Sequence, residues 1–202
     1  MTRILGLDGI RAFAVLIVFF HHLGIIPFLT LGGHVGVDIF FVLSGFLIAS
    51  ILINTNHGLS NNLFVFYRKR ALRLLPALFF FVLVIGCFIN FVNQPRWTID
   101  KFNETIPALF NYMNFIRVLN IYDAPFTGHT WSLAVEWQFY LIFPILFMFL
   151  LRKFARKTIY FLLSIIAIQV LWRAYLGLES DSASRVYCGF DTHSDGLLMG
   201  GY

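Results

Sequence analysis

Long apolar runs, separated by short polar and basic segments, dominate this chain of 202 residues. The runs cover about residues 10–26, 35–53, 72–91, 131–151 and 159–176, and a further apolar run starts near residue 190. Each complete run has the length, about 17–25 residues, of a helix that crosses a bilayer. The pattern predicts an all-α fold, a polytopic transmembrane helix bundle with about five complete spans and the start of a sixth.

The connections between the runs are of unequal length. Residues 54–67 begin with the polar string NTNHGLSNN and are expected to lie at the membrane interface. The long mixed stretch 92–129 is expected to hold a short interfacial or re-entrant helix around residues 106–119. A cleaved signal peptide is an alternative for the first run, but Asp8 and Arg11 crowd its start and no small-residue cleavage site follows.

Composition supports a membrane protein and excludes several other classes. The chain is 59% hydrophobic and 12% charged, against about 25% charged in a soluble domain. The net charge of +5 comes from basic residues in short clusters between apolar runs, so it indicates membrane topology and no nucleic-acid partner. Cys87 and Cys188 lack metal-ligand spacing, and no metal site is expected.

The basic clusters also predict an orientation. Ten of the 15 Lys and Arg residues lie in or next to the amino terminus and the segments around 54–72 and 152–157. The alternation of spans can place these three regions on the same side of the membrane. Cytoplasmic loops carry an excess of these residues. We therefore expect a cytoplasmic amino terminus, with residues 92–128 outside.

The first run, LDGIRAFAVLIVFFHH, places two ionisable side chains on one helix face. Ten residues separate Arg11 from His22, which brings the helix back to nearly the same azimuth about 16 Å further along. Ionisable groups inside spans usually face a bundle interior or a polar cavity. His22 is a candidate general base because its unperturbed pKa lies near neutrality. His21, about 100° away, is expected to face elsewhere. The alternative is a snorkelling Arg11 and a hydrogen-bonded structural His22.

Other polar residues near the spans suggest an anion site. Arg70 and Arg73 share a helix face, and with Arg11 they suit phosphate binding, because a guanidinium presents a planar fork of donors. Arg68 and Lys69 are interpreted as plain positive-inside charges. Glu136 could orient His22 or add a negative charge to the site. The alternative is that Glu136 is a protonated carboxyl with a structural role.

Short catalytic motifs add little. His34 and Asp38 spell HxxxD, a string that soluble CoA-dependent acyltransferases use, but a match at the mouth of a span is weak support. The chain has no GxSxG, P-loop, GxGxxG or HExxH motif.

Five strings together resemble the acyltransferase 3 family of membrane acyltransferases, which modify cell-surface glycans. They are LDGIRAFAVLIVFFHH, GVDIFFVLSGFLI, FYRKRALRLLPAL, HTWSLAVEWQFYL and FDTHSDGLLMGGY. The family's Arg-x10-His element falls on Arg11 and His22, and its Arg-x-x-Arg element falls on Arg70 and Arg73. Its WSL-x-VE element falls on Glu136.

The resemblance implies an activity and its partners. An acyl-CoA donor, in particular acetyl-CoA, would bind from the cytoplasm as a co-substrate, with no permanently bound cofactor. The acyl group would pass through the bundle to a hydroxyl of a cell-surface polysaccharide, lipopolysaccharide or lipid-linked sugar, in a bacterial inner membrane. Residues 1–202 are expected to form the amino-terminal part of a larger membrane domain. Family members often carry Arg where this chain has His193, and the roles of His193 and Asp195 stay open.

Two other functions fit the same residues. In a transporter or channel, Arg11, His22 and Glu136 would line a polar path, and flux would not depend on acyl-CoA. In a non-catalytic membrane scaffold the polar groups would merely satisfy one another, and His22→Ala would leave the phenotype intact.

Overall fold

The computed structural model describes residues 5–23, 32–53, 59–91, 101–179 and 183–201, and the regular structure in these residues is helical. The helices are α1 (Leu5–Leu23), α2 (Gly33–Ile53), α3 (Leu59–Phe91), α4 (Lys101–Leu109), α5 (Met113–Val118), α6 (Trp131–Phe154), α7 (Thr158–Glu179), α8 (Ala183–Cys188), α9 (Phe190–His193) and α10 (Asp195–Gly200). Within the described residues five helices, α1, α2, α3, α6 and α7, are long and apolar enough to cross a membrane. The predicted all-α bundle with five complete spans is confirmed.

The third span is longer than the sequence pattern predicts. Helix α3 begins at Leu59 rather than near residue 72, because residues 59–71 contain no Gly or Pro that would interrupt a helix. The basic cluster that includes Arg70 therefore lies within the helix. The expected loops at residues 24–31, 54–58 and 92–100 lie outside the described residues.

The single interfacial helix expected around residues 106–119 is instead two helices, α4 and α5. Asn111 lies between them with φ 57°, in the left-handed region that Asn tolerates better than most residues. A helix cannot continue through this conformation, so the chain turns.

The expected start of a sixth span is broken into the short helices α8, α9 and α10. Two ion pairs involve their polar residues. Arg173 Nη2 on α7 lies 2.9 Å from Asp195 Oδ2 on α10, and Arg185 Nη2 on α8 lies 2.6 Å from Asp191 Oδ2 on α9. The first pair ties α10 to a spanning helix, and the second joins two of the short helices to each other.

Helices α2 and α6 form the centre of the bundle. In the most apolar 18-residue stretch of each of these two spans 44% and 50% of the residues are buried, against 6% in the same stretch of α1, α3 and α7. On α6 the rings of Phe139, Phe143 and Phe147 stack, with centroids 4.5 and 5.1 Å apart along the series. The mostly exposed apolar faces of the outer three helices are suited to lipid.

Small residues allow α2 to approach its neighbours closely. A Cβ at Gly36 would lie 2.8 Å from the Ala14 carbonyl oxygen of α1, and a Cβ at Gly45 would overlap the Leu197 carbonyl oxygen of α10. Close backbone approach through small residues is a common way for membrane helices to associate.

We expect Gly45→Ala to destabilise the bundle by about 1–3 kcal/mol, because the obstructing atom belongs to the backbone and cannot rotate away. Thermal unfolding in detergent measures this change. Gly177→Ala on α7 is the matched control: a Cβ there meets nothing within 4 Å, and Ala favours a helix over Gly by about 0.5–1 kcal/mol. Equal stability of the two variants would contradict the packing of α10 on α2.

Candidate active site

A cavity of about 500 Å³ lies between α1, α2, α3 and α6. We call it the arginine cavity, because its polar lining residues are Arg11, Arg70, Arg73, Glu136 and Tyr140. The three arginines predicted to form the anion site, and the candidate residue Glu136, come from three helices that are far apart in sequence. The structure brings all four around one cavity.

A chain of hydrogen bonds crosses the wall of the arginine cavity. Arg11 Nη2 donates to Ser44 Oγ at 3.4 Å, and Ser44 Oγ donates to Glu136 Oε1 at 2.5 Å. The Tyr140 hydroxyl donates to the same Glu136 oxygen, and Arg70 Nη1 donates to the Tyr140 hydroxyl at 3.4 Å. The fully buried Glu136 side chain thus accepts from two hydroxyls, each of which a guanidinium contacts.

The three arginines differ in how much of their hydrogen-bonding capacity the protein uses. Arg70 is buried, with its guanidinium 4.9 Å from the Tyr140 ring centroid and 5.7 Å from that of Phe66. Arg11 Nε is buried without a partner, and Arg73 is exposed on the cavity side. The donors of Arg11 and Arg73 are therefore available to an anion, while Arg70 also supports the fold.

A larger cavity, of about 920 Å³, lies further along α1. We call it the histidine cavity, because it is lined by His21, His22, His34 and His129, together with aromatic rings that include Trp131 and Tyr187. Val15 and Phe40 line both cavities, so the two adjoin there. The described residues contain no group of His, Cys, Asp and Glu arranged to hold a metal ion.

The backbone orients His22. Its Nδ1 lies 2.8 Å from the Val18 carbonyl oxygen. Because a carbonyl oxygen only accepts hydrogen bonds, Nδ1 carries the hydrogen and the neutral ring keeps its lone pair on Nε2. The His129 ring lies near, with its centroid 5.8 Å from that of His22.

Two expectations about this helix need revision. The orienting partner of His22 is the Val18 carbonyl, whereas Glu136 lines the other cavity. His21, which was expected to face elsewhere, also lines the histidine cavity and packs against Gly33. The cavity is wide enough to be lined by both side chains, although they lie about 100° apart around α1.

The HxxxD string does not act as one unit. Asp38 Oδ1 lies 2.9 Å from Nε2 of His193 in α9. The His193 ring packs on Trp131 and Tyr187, with centroids 5.6 and 4.6 Å away, and the His34 ring packs on Tyr187 at 4.3 Å. The contact between Asp38 and His193 therefore supports the wall of the histidine cavity, and His34 contributes to its lining.

Glu104 anchors another part of that wall, the segment that follows α5. Its Oε2 accepts from the Phe126 backbone N–H at 3.2 Å, and its carbonyl oxygen accepts from Thr127 Oγ1 at 2.9 Å. Burial raises the pKa of Glu104 more than its hydrogen bonds lower it. These contacts hold Ala124 and Pro125 where they line the cavity.

Several residues of the site escape sequence reasoning. Tyr140 lies one helical turn after Glu136, so helical spacing could have pointed to it. Tertiary packing alone brings Ser44 into contact with Glu136, and it alone places His129 and Arg117 in the lining of the histidine cavity. No local spacing relates them to Arg11 or His22.

Comparison with known proteins identifies related chains. The family model of an acyltransferase domain, acyltransferase 3, matches residues 4–189. The O-acetyltransferase OatA of Staphylococcus aureus strain NCTC 8325 is 36% identical over 205 residues, which cover 96% of this chain and 33% of the relative. OatA of strain Mu50 gives the same values. This chain thus spans about a third of the length of the curated relatives it matches. No solved structure matches it.

Proposed function

This chain belongs to the acyltransferase 3 family, and on that premise we propose that it transfers an acyl group from acyl-CoA to a hydroxyl of a cell-surface carbohydrate. Acetyl is the acyl group that the relatives' name, O-acetyltransferase, suggests. The observation that supports the proposal most is the pair of adjoining cavities, one lined by arginines and the other by histidines. Arginines are suited to phosphate binding and histidines to proton abstraction, the two tasks that this reaction needs.

In this proposal the arginine cavity binds the donor. Arg11, Arg70 and Arg73 contact the phosphates of coenzyme A, because each guanidinium can donate two parallel hydrogen bonds to phosphate oxygens. Glu136 holds Tyr140 and Ser44, and through them it positions Arg70 and Arg11. Glu136 is thus a positioning residue.

The histidine cavity is the proposed place of reaction. His22 Nε2 removes the proton from the acceptor hydroxyl as the oxygen attacks the thioester carbonyl carbon. The C–O bond forms, the C–S bond breaks, and the proton on His22 passes to the departing thiolate of coenzyme A. The thioester reaches His22 past Val15 and Phe40, which line both cavities.

The proposed orientation puts the arginine cavity on the cytoplasmic side and residues 92–128 outside, in a bacterial inner membrane. It rests on the excess of Lys and Arg around residues 54–72 and 152–157. With Cys87 and Cys188 replaced, we expect a single cysteine at Ser60 to resist an impermeant thiol reagent in intact cells and to react after lysis. Labelling of residue 60 in intact cells would contradict the orientation.

Donor dependence separates this function from transport. We expect the intact enzyme, reconstituted in lipid, to move label from radiolabelled acetyl-CoA into fragments of cell-wall glycan and to release one free thiol for each acetyl group transferred. Glycan labelling and thiol titration measure the two products. A sugar or proton flux that proceeds without acyl-CoA, with no glycan labelled, would favour the transporter instead.

A further inference from the structure

We propose that the histidine cavity binds an acceptor that carries anionic oxygens, a carboxylate or a phosphate, and that Arg117 is their contact. The inference rests on the proposed function only in taking the occupant of this cavity to be the acceptor. It requires the acceptor to carry a negative charge, which membership of the family alone does not imply.

The charge balance of the cavity supports an anion. Among the lining residues that the structure describes, Arg117 is the sole permanent charge, and none is Asp or Glu. The four histidines add further N–H donors and ring nitrogens. A neutral sugar would leave the guanidinium without a counter-charge in this largely apolar space.

Arg117 itself has unused donor capacity. Its Nε is buried and has no hydrogen-bond partner, and within the described residues no carboxylate pairs with it. A buried N–H without an acceptor is costly, so a ligand oxygen would supply what the protein does not.

Two described neighbours, Cys188 and Gly128, position the Arg117 guanidinium without neutralising its charge. Its guanidinium contacts the Cys188 thiol, and burial raises the pKa of that thiol, which therefore stays uncharged. A Cβ at Gly128 would lie 2.9 Å from Arg117 Nη1, so the glycine leaves room for the guanidinium. Trp131 and Tyr187, in the same lining, offer ring faces on which a sugar can pack.

The place of Arg117 in the chain favours the acceptor over the donor. Arg117 belongs to α5, and the neighbouring lining residues Ala124 and Pro125 follow it in the segment, residues 92–128, that the proposed orientation puts outside. The three arginines proposed to bind the donor line the other cavity.

Equilibrium binding to the intact enzyme, with no acyl donor present, tests the inference. Two matched pairs of probes distinguish the two sources of anionic oxygens. The first pair is a uronic-acid disaccharide and its carboxamide, and the second is N-acetylglucosamine 1-phosphate and N-acetylglucosamine. We expect the wild type to bind the anionic member of at least one pair about tenfold or more tightly, the effect of one charge-assisted contact.

Variants at Arg117 then test whether this residue causes the preference for the anionic probe. Arg117→Gln should abolish it, Arg117→Lys should retain part of it, and the exposed Arg156→Gln, which lines neither cavity, should leave it unchanged. A preference for the uronic acid identifies a sugar carboxylate, and a preference for the sugar phosphate identifies a phosphate. Equal affinity within both pairs, or an unchanged preference in Arg117→Gln, would overturn the inference.

Two further outcomes distinguish a failure of the inference from misfolding of the variant and from failure of the proposed reaction. If Arg117→Gln does not fold, the wild-type preference and its reduction in Arg117→Lys decide the question. Full transfer activity in His22→Ala together with an Arg117-dependent preference would refute the proposed base and leave the anionic acceptor standing.

Discussion

Replacement of His22 by alanine is expected to lower acyl transfer by about 10²–10⁴-fold, the usual contribution of a general base. Sugar hydroxyls are poor nucleophiles at neutral pH, so the proton must leave as the C–O bond forms. The Val18 carbonyl holds the Nδ1 hydrogen of His22 and leaves the Nε2 lone pair for this step. Single-turnover transfer from acetyl-CoA to a glycan fragment measures the loss.

His21→Ala is the matched control for the first experiment. His21 also lines the histidine cavity and packs against Gly33, so its loss should be mild and structural. Acyl-CoA affinity should stay at the wild-type value in His22→Ala, because the proposed phosphate contacts lie in the other cavity. Near wild-type transfer in His22→Ala, or a dead His21→Ala beside an active His22→Ala, would contradict the assignment of the base.

Arg73→Ala and Arg70→Ala are expected to weaken acyl-CoA binding more than acceptor binding. Loss of one charge-assisted contact to phosphate costs about 1.5–3 kcal/mol, or roughly 10- to 150-fold in affinity. Arg73 is the cleaner site, because it is exposed, whereas Arg70 is buried against Tyr140. Equilibrium binding of acetyl-CoA to the intact enzyme measures the effect.

Neighbouring basic residues provide the control for the donor site. Arg68 and Lys69 are exposed on the same helix and line neither cavity, so Arg68→Ala and Lys69→Ala should bind acetyl-CoA as the wild type does. Arg70→Lys keeps the charge but loses the planar fork, and it separates charge from geometry. Unchanged affinity in both Arg73→Ala and Arg70→Ala would exclude the proposed phosphate contacts.

The sequence predicts the spans well because membrane helices depend on length and apolarity, which are local properties. It fails where a polar residue finds its partner only in the folded bundle. Asp195 and Asp191 pair with Arg173 and Arg185, and these pairs allow short helices where a continuous apolar helix is expected. The left-handed Asn111 similarly splits the predicted interfacial helix.

Part of the candidate site can likewise be predicted from the sequence, and part of it cannot. Helical periodicity alone places Arg11 and His22 on a common face and Arg70 near Arg73. The partners of these residues come from elsewhere: the Ser44 hydroxyl from α2 contacts Arg11, and Arg117 joins the histidine cavity from α5. The spacing of residues in the sequence cannot predict such contacts, because they depend on how the helices cross.

Transfer between the two faces of a sealed membrane tests the central claim, that the acyl group passes from the arginine cavity to the histidine cavity. Radiolabelled acetyl-CoA is supplied at the face that carries residues 152–157, and glycan fragments are trapped on the other side. The account predicts labelled glycan in the trapped compartment, and loss of that label in Val15→Trp, which narrows the place where the cavities adjoin. Labelling only when acetyl-CoA and glycan share one side of the membrane would contradict it.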